Sequence, residues 1–163
     1  MKIKIPIIIL VAMTAWATVI QAGAAFKGLP KATDLRADSR LAQRTQRPIM
    51  VFFASAYCGY CDLVAELYLR PMLESGSHED RILLRVVQTD DSAGRMIGFD
   101  GRRTYHADFA SRHAASLTPL IKFYGPDGRE LVPEIFGYNN PDYWGYYLEE
   151  AINLAVKKLR ASS

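Results

Sequence analysis

The residues of this chain best suited to chemistry are its two cysteines, Cys58 and Cys61, which stand two residues apart. A structural disulfide stabilises a protein mainly by restricting the unfolded chain, and closing so short a gap restricts it little. The spacing instead suits reversible oxidation, in which two thiols alternate between a dithiol and a disulfide. We therefore interpret the pair as a redox centre rather than as a structural staple.

The two sulfurs are expected to have different roles. A cysteine at the start of a helix faces unpaired backbone N–H groups and the positive end of the helix dipole, which stabilise its thiolate, so we assign Cys58 as the nucleophile. Cys61 lies one turn further in, where it can attack a mixed disulfide formed on Cys58. The intervening residues Gly59 and Tyr60 are expected to tune the redox poise, and Tyr57 and Tyr60 are candidates for substrate contact.

The elements on either side of the cysteines place them at a strand-to-helix junction. Residues 49 to 54 form a continuous apolar run, which is typical of a strand buried on both faces of a sheet. Residues 59 to 69 then carry apolar positions at helical spacing, until Arg70-Pro71 is expected to break or kink the helix.

The rest of the chain alternates helical and strand patterns. It predicts a helix near residues 34 to 45, a strand at 82 to 88, a short helix at 106 to 115, a strand at 120 to 124 and its hairpin partner at about 130 to 136. Residues 89 to 105, rich in Asp, Gly and Arg, are interpreted as a surface loop or insertion rather than core. A last helix opens with Asn140 as its cap and has an apolar face that includes Trp144.

Residues 1 to 24 are predicted to be a secretory signal peptide, and residues 25 to 163 a single domain. Lys2 and Lys4 form a basic start, an apolar run follows, and Ala22-Gly23-Ala24 offers a cleavage site after Ala22 or Ala24. The alternative is a retained membrane anchor, but the run is shorter than the roughly 20 residues that a spanning helix needs. The mature protein is therefore expected in the periplasm.

The composition is that of a globular domain, with 50% hydrophobic and 23% charged residues. The formal charge of +3 falls to +1 when the two lysines of the leader are removed, and the remaining basic residues are scattered among acids. This pattern does not favour nucleic-acid or lipid binding. The three histidines lack metal-ligand spacing with the cysteines, and Asp62 after Cys61 excludes the haem-attachment motif, so no metal or cofactor is expected.

The pattern resembles the thioredoxin superfamily over roughly residues 33 to 160. The resemblance is carried by Phe52-Phe53-Ala54-Ser55-Ala56-Tyr57-Cys58-Gly59-Tyr60-Cys61, by Thr118-Pro119 and by Gly137 before the last helix. It implies an α/β fold with a central mixed sheet of four to five strands, flanked by helices, and an insertion before the cis-proline strand. The Phe99-Asp100-Gly101 segment and the Pro126-Asp127-Gly128 turn look most like SoxW-type periplasmic thioredoxins. The Cys-Gly-Tyr-Cys centre also resembles periplasmic disulfide isomerases.

The resemblance further implies a cis bond between Thr118 and Pro119, whose backbone would offer hydrogen bonds to an extended substrate. The alternative is an ordinary trans proline at the start of an edge strand. The sequence departs from the usual thioredoxin pattern at two positions. Tyr57 stands where many thioredoxins have Trp, and Phe52 where they have a buried acid that could accept a proton from the Cys61 thiol.

The favoured function is reduction of periplasmic protein disulfides by a monomer, kept reduced by a membrane electron donor of the DsbD type. Isomerase and dithiol oxidase activities are close alternatives, because the direction of exchange depends on the reduction potential. The isomerases add a dimerisation domain, for which residues 25 to 46 leave no room. A thiol metallochaperone or a peptide-binding module is an alternative of another class, although no Met or His lies within the motif to complete a Cu(I) site.

Overall fold

The structure, a computed structural model, describes Phe26 and residues 28 to 162. The predicted signal peptide, residues 1 to 24, lies outside these residues and stays a prediction. Within the described part of the chain, no helix is both long enough and apolar enough to cross a membrane.

The described chain alternates helices and strands. In order, the elements are α1 (Leu35–Thr45), β1 (Ile49–Ala54), α2 (Gly59–Val64), a π turn (Ala65–Leu69), α3 (Arg70–Glu74), β2 (Leu83–Gln88), β3 (Arg95–Ile97), β4 (Arg103–Tyr105), α4 (His106–Arg112), β5 (Leu120–Tyr124), β6 (Ile135–Phe136) and α5 (Pro141–Ala161).

The central sheet has four strands in the order β2-β1-β5-β6. β1 pairs in parallel with β2 and antiparallel with β5, and β6 pairs antiparallel with β5. Every residue of β1 is buried, because its unbroken apolar run covers both faces of the sheet. The predicted fold class, a mixed sheet flanked by helices, is confirmed.

Each face of the sheet is covered by its own set of helices. Phe52 and its alternate neighbours in β1 belong to a buried cluster that includes Cys61 from α2 and Trp144 and Ile152 from α5. Phe53 and the other alternate residues join a second cluster with α1 and α4. The period-two alternation of side chains along β1 therefore divides the core into two layers.

A short N-terminal segment extends the sheet beyond β2, and the sequence patterns did not indicate it. Ala32 N–H donates to the Val86 carbonyl and Val86 N–H donates to the Pro30 carbonyl, both at 2.8 Å. Phe26 and Leu29 just before this segment are buried in the Cys61 layer of the core. The first described residues are thus part of the fold.

The helix after the cysteines continues through Arg70-Pro71, so of the two expected outcomes, a break or a kink, the break is not found. Helical structure changes from α to π and back, and the Arg70 N–H donates to the Ala65 carbonyl across the wide turn. Pro71 follows in the first turn of α3, and it has no N–H to donate to the preceding turn.

The interpretation of residues 89 to 105 as a surface loop was partly wrong. They contain the antiparallel pair β3 and β4, and Met96 of β3 is buried in the second core layer. Each of these strands has three residues, too few for a visible alternation of apolar and polar positions.

Two expectations near the C-terminus also need correction. The predicted strand over residues 130 to 136 is reduced to β6 and an isolated bridge between Tyr124 and Glu130. Pro133 lies between them and has no N–H to donate to a strand ladder. Asn140 precedes α5 but makes no side-chain cap; instead its backbone carbonyl accepts a hydrogen bond from Tyr143 N–H at 3.1 Å.

Candidate active site

Cys58 lies in the turn after β1 and is the N-cap residue of α2. Its sulfur accepts a hydrogen bond from the Cys61 backbone N–H at 3.1 Å, and its carbonyl accepts one from Asp62 N–H at 3.2 Å. The sulfur thus sits at the helix end where N–H groups are not used within the helix. This is the environment that stabilises a thiolate.

Cys58 and Cys61 are joined by a disulfide, with their Cα atoms 5.1 Å apart. Cys61 is 0% exposed and belongs to the core, whereas Cys58 is partly exposed at its edge. An incoming thiolate can therefore approach Cys58 and not Cys61. The asymmetry suits a pair in which one sulfur exchanges with substrates and the other acts only within the chain.

Asp90, which the sequence analysis did not select, holds the turn that leads to Cys58. Its Oδ2 accepts hydrogen bonds from the Ser55 hydroxyl and from the Ala56 N–H, both at 3.0 Å. Burial would raise the pKa of Asp90, but hydrogen bonds from Gln88, Ala56 and Ser55 outweigh it and hold the pKa below its usual range. In the sequence, the one feature that could have pointed to Asp90 is its position two residues after β2. Because β2 is parallel to β1, the two strands end at the same edge of the sheet, where Cys58 also lies.

The Thr118–Pro119 peptide bond is cis and immediately precedes β5. Leu120 pairs with Phe53 near the end of β1, so Thr118 and Pro119 lie at the same end of the sheet as Cys58. The Pro119 carbonyl accepts a hydrogen bond from Gly137 N–H at 2.8 Å. Pro119 is buried, and Thr118 is partly exposed.

The core beneath the disulfide is apolar. Phe52 is fully buried in the same layer as Cys61. In the described chain, the buried polar or charged residues are Asp38, Ser39, His106 and Lys122. They lie on α1, on α4 and on the face of β5 that Leu120 shares, so none of them belongs to the layer of Cys61. Among the described residues, Cys61 therefore has no buried polar or charged side chain in its own layer of the core.

The residues predicted to contact substrate are exposed beside the disulfide. Tyr57 is 90% exposed and Tyr60 is 61% exposed, although the ring of Tyr60 also lies 6.0 Å from that of Tyr138. Gly59 is exposed, and a methyl group added to it would meet no atom within 4 Å. Space therefore does not require glycine at this position.

Tyr60 is the outermost member of an aromatic cluster formed with Tyr138, Tyr68 and Trp144. Tyr138 lies 6.3 Å from Tyr68 and 5.9 Å from Trp144, and Tyr68 lies 4.6 Å from Trp144. The hydrogen bond with Tyr138, helped by burial, raises the pKa of Tyr68 to about 12. The indole N–H of Trp144 donates to the Gly137 carbonyl at 3.0 Å. The cluster connects the cysteine motif to α5 and to the loop that contacts Pro119.

The histidines are engaged elsewhere in the fold. His78 pairs with Glu149 at 2.9 Å, His106 accepts a hydrogen bond from Gln88 N–H at 3.2 Å, and His113 lies 3.1 Å from the Tyr124 hydroxyl. Burial lowers the pKa of His106 and of His113. Over Phe26 and residues 28 to 162, three or more His, Cys, Asp or Glu side chains are nowhere grouped as they would be to hold a metal ion.

Comparison with known proteins places this geometry in a family. The model of the thioredoxin-like domain matches residues 35 to 152. Thioredoxin from Fasciola hepatica is 19% identical, with 77% of this chain and 97% of that chain covered and a TM-score of 0.50. Mitochondrial thioredoxin 3 from Saccharomyces cerevisiae is 17% identical, with 79% and 97% covered and a TM-score of 0.52.

At such identities the two solved structures show a shared fold and nothing more. A search of curated proteins finds no match. The family model, however, spans most of the described residues, including both cysteines and the Thr118–Pro119 bond. The chain belongs to the thioredoxin-like domain family.

Proposed function

We propose that this protein is a thiol-disulfide oxidoreductase that exchanges disulfides with other proteins through Cys58 and Cys61. The observation that carries the proposal is the oxidised pair at the N-terminus of α2, with one sulfur at the surface and the other in the core. A disulfide that encloses two residues adds little stability, so its chemistry gives the better account of it.

In the reduced protein, the Cys58 thiolate attacks one sulfur of a substrate disulfide. A bond forms between Cys58 and that sulfur, the substrate S–S bond breaks, and the other substrate sulfur leaves as a thiolate that takes up a proton. Cys61 then loses its proton and attacks Cys58, which releases the second substrate thiol. Two electrons pass from the protein to its substrate, and the Cys58–Cys61 disulfide is the product.

We further propose that substrates bind along the surface next to Cys58. The backbone of Thr118 would pair with an extended substrate segment beside Pro119, as an added strand does. Tyr57 and Tyr60 would contact the residues that flank the substrate cysteine. The position of these four residues at one end of the sheet supports this arrangement.

The direction and the compartment are proposed from the sequence. The basic and apolar N-terminus supports export to the periplasm, and the SoxW-type resemblance supports a reductase role. A membrane electron donor of the DsbD type would then restore the dithiol, and the domain would act as a monomer. The test of export is N-terminal sequencing of the protein from a periplasmic fraction, which we expect to begin at Gly23 or Ala25.

The exchange activity can be tested by reduction of insulin in dithiothreitol. We expect the wild-type chain to accelerate precipitation of the insulin B chain, and Cys58→Ala to reduce the rate to that of dithiothreitol alone. A wild-type rate equal to that of Cys58→Ala would contradict the proposed function.

The direction is tested by equilibrating the cysteine pair with glutathione buffers. A reduction potential of about −270 mV, that of thioredoxin, would support the proposed reductase role. A value of about −120 mV, that of the oxidant DsbA, would instead indicate a role in disulfide formation.

A further inference from the structure

Asp90 joins the end of β2 to the turn that carries Cys58. One carboxylate oxygen accepts both the Ser55 hydroxyl and the Ala56 N–H, each at 3.0 Å. These two donors directly follow the last residue of β1, and Cys58 comes two residues later. The contact spans 34 and 35 residues of sequence, so it is made by the fold and not by the local turn.

Ser55 passes this restraint on to Cys58. Its hydroxyl is held by Asp90, and its carbonyl accepts the Cys58 N–H at 3.2 Å. The Thr89 N–H, next to Asp90 in the chain, also donates to the Ala54 carbonyl at 2.8 Å. The backbone on both sides of Ser55 is therefore fixed to the segment after β2, and this chain of contacts ends at the backbone of Cys58.

We propose that Asp90 is a positioning residue for exchange at Cys58: its carboxylate holds the turn of Ser55 and Ala56, and the turn fixes the sulfur at the head of α2. The role rests on the proposed function, in which Cys58 is the nucleophile. Asp90 acts through the turn and contacts neither sulfur. In-line attack on a disulfide depends on the placement of the attacking sulfur, so a loosened turn lowers the rate of exchange.

The experiment compares Asp90→Asn with Asp90→Ala. Both variants remove the negative charge, but only asparagine keeps a side-chain oxygen that can accept the two hydrogen bonds. The difference between the two variants therefore isolates the hydrogen bonds from the charge. Asp127→Ala is the matched control, because Asp127 also accepts a backbone N–H, that of Arg129 at 3.1 Å, in a turn away from the site.

We expect kcat/KM for insulin reduction to be about tenfold lower in Asp90→Ala than in Asp90→Asn, by loss of alignment. Ser55→Ala should also lower it, and Asp127→Ala should match the wild type. Thermal unfolding of each variant verifies that it is folded. Equal rates for folded Asp90→Ala and Asp90→Asn would overturn the proposal.

A second readout does not depend on a protein substrate. In the reduced protein, the rate of Cys58 alkylation by iodoacetamide and the amide resonances of Ala56 and Cys58 should differ between Asp90→Ala and Asp90→Asn. If the wild type reduces no insulin while these differences are present, the proposed function fails, and only the restraint of the Cys58 turn by Asp90 stands. If insulin is reduced and the differences are absent, the positioning role fails alone.

Discussion

At the scale of single residues, the two bonded sulfurs differ in what can reach them. Cys61 is enclosed by the core layer of Phe52 and Trp144, whereas Cys58 is partly exposed at the head of α2. Burial in an apolar layer disfavours a charged thiolate, and the helix N-terminus favours one. In the proposed exchange, this contrast sets the order of events: the partly exposed sulfur of Cys58 meets the substrate first, and the enclosed sulfur of Cys61 reacts second.

The first prediction is that Cys61→Ser accumulates a covalent complex with substrate. The Cys58 thiolate still attacks, but no second thiol releases the mixed disulfide. The complex should be visible on non-reducing gels and by mass spectrometry, and dithiothreitol should cleave it by reducing the mixed disulfide. Cys58→Ser is the control and should form none. Equal amounts of trapped complex in the two variants would contradict the assignment of Cys58 as the nucleophile.

At the scale of elements, the aromatic cluster ties the cysteine motif to α5. Tyr138 is its centre, because its ring lies about 6 Å from those of Tyr60, Tyr68 and Trp144. Tyr60 is thereby supported on one side while most of its surface faces solvent. The cluster can hold Tyr60 in place for the proposed contact with a substrate.

The second prediction is that Tyr138→Ala destabilises the domain by about 2 kcal/mol, from the loss of aromatic contacts and buried area. It should also raise KM for a protein disulfide more than for a small aromatic disulfide, because the released Tyr60 no longer presents a fixed ring. Urea unfolding and steady-state kinetics measure the two effects. Tyr143→Ala, at an exposed tyrosine of α5, should change neither.

A second connection to α5 depends on charge. Glu149 pairs with His78 at 2.9 Å and with Arg81 at 2.7 Å, both in the segment between α3 and β2. Burial would raise the pKa of Glu149, but the hydrogen bonds from His78 and Arg81 outweigh it and lower the pKa. The pair therefore stabilises the fold above the unfolded pKa of the carboxyl group, and this stability is lost as pH falls through the lower folded value.

The third prediction is that Glu149→Gln lowers the free energy of unfolding at pH 7 by about 0.5 to 1 kcal/mol, a modest value because the carboxylate is partly exposed. The difference from the wild type should shrink towards pH 3, because the contribution of the carboxylate falls as pH drops below its unfolded pKa and through its lower folded value. Urea unfolding at both pH values measures it. Glu150→Gln, the adjacent exposed acid, serves as the control; a difference equally large at pH 3 would refute the assignment.

Elements could be predicted from the sequence where they were long or fully apolar. β1 and the apolar face of α5 are such cases, since each carries an unbroken run or several turns of pattern. The three-residue strands β3 and β4 and the π turn carry too few residues for a period. The contact of Asp90 with Ser55 could not be predicted, because it depends on the parallel register of β1 and β2.

At the scale of the whole molecule, residues shortly after the predicted cleavage site are already part of the fold. Phe26 and Leu29 are buried, and the backbones of Pro30 and Ala32 form hydrogen bonds with Val86 at the edge of β2. Cleavage after Ala22 or Ala24 would leave all of these residues in the mature chain. The predicted cleavage site would thus lie only a few residues before the segment that pairs with β2.

The fourth prediction is that a chain starting at Lys31 is less stable than one starting at Ala25 by about 3 kcal/mol. It loses the burial of Phe26 and Leu29, and the Val86 N–H loses its acceptor on Pro30. Urea unfolding of the two chains at one pH measures the difference. Equal midpoints and slopes would show that the N-terminal segment adds no stability.

Trp144 makes this fold suited to measurement by intrinsic tryptophan fluorescence. The sequence has two tryptophans, and Trp16 lies in the predicted signal peptide, so a chain without residues 1 to 24 has one indole. That indole packs against Tyr68 at a tilt of 44° and donates a hydrogen bond to Gly137, the residue that also contacts Pro119. Its fluorescence would report one environment, two contacts away from the proposed substrate surface, so binding and unfolding could be recorded without attaching a dye.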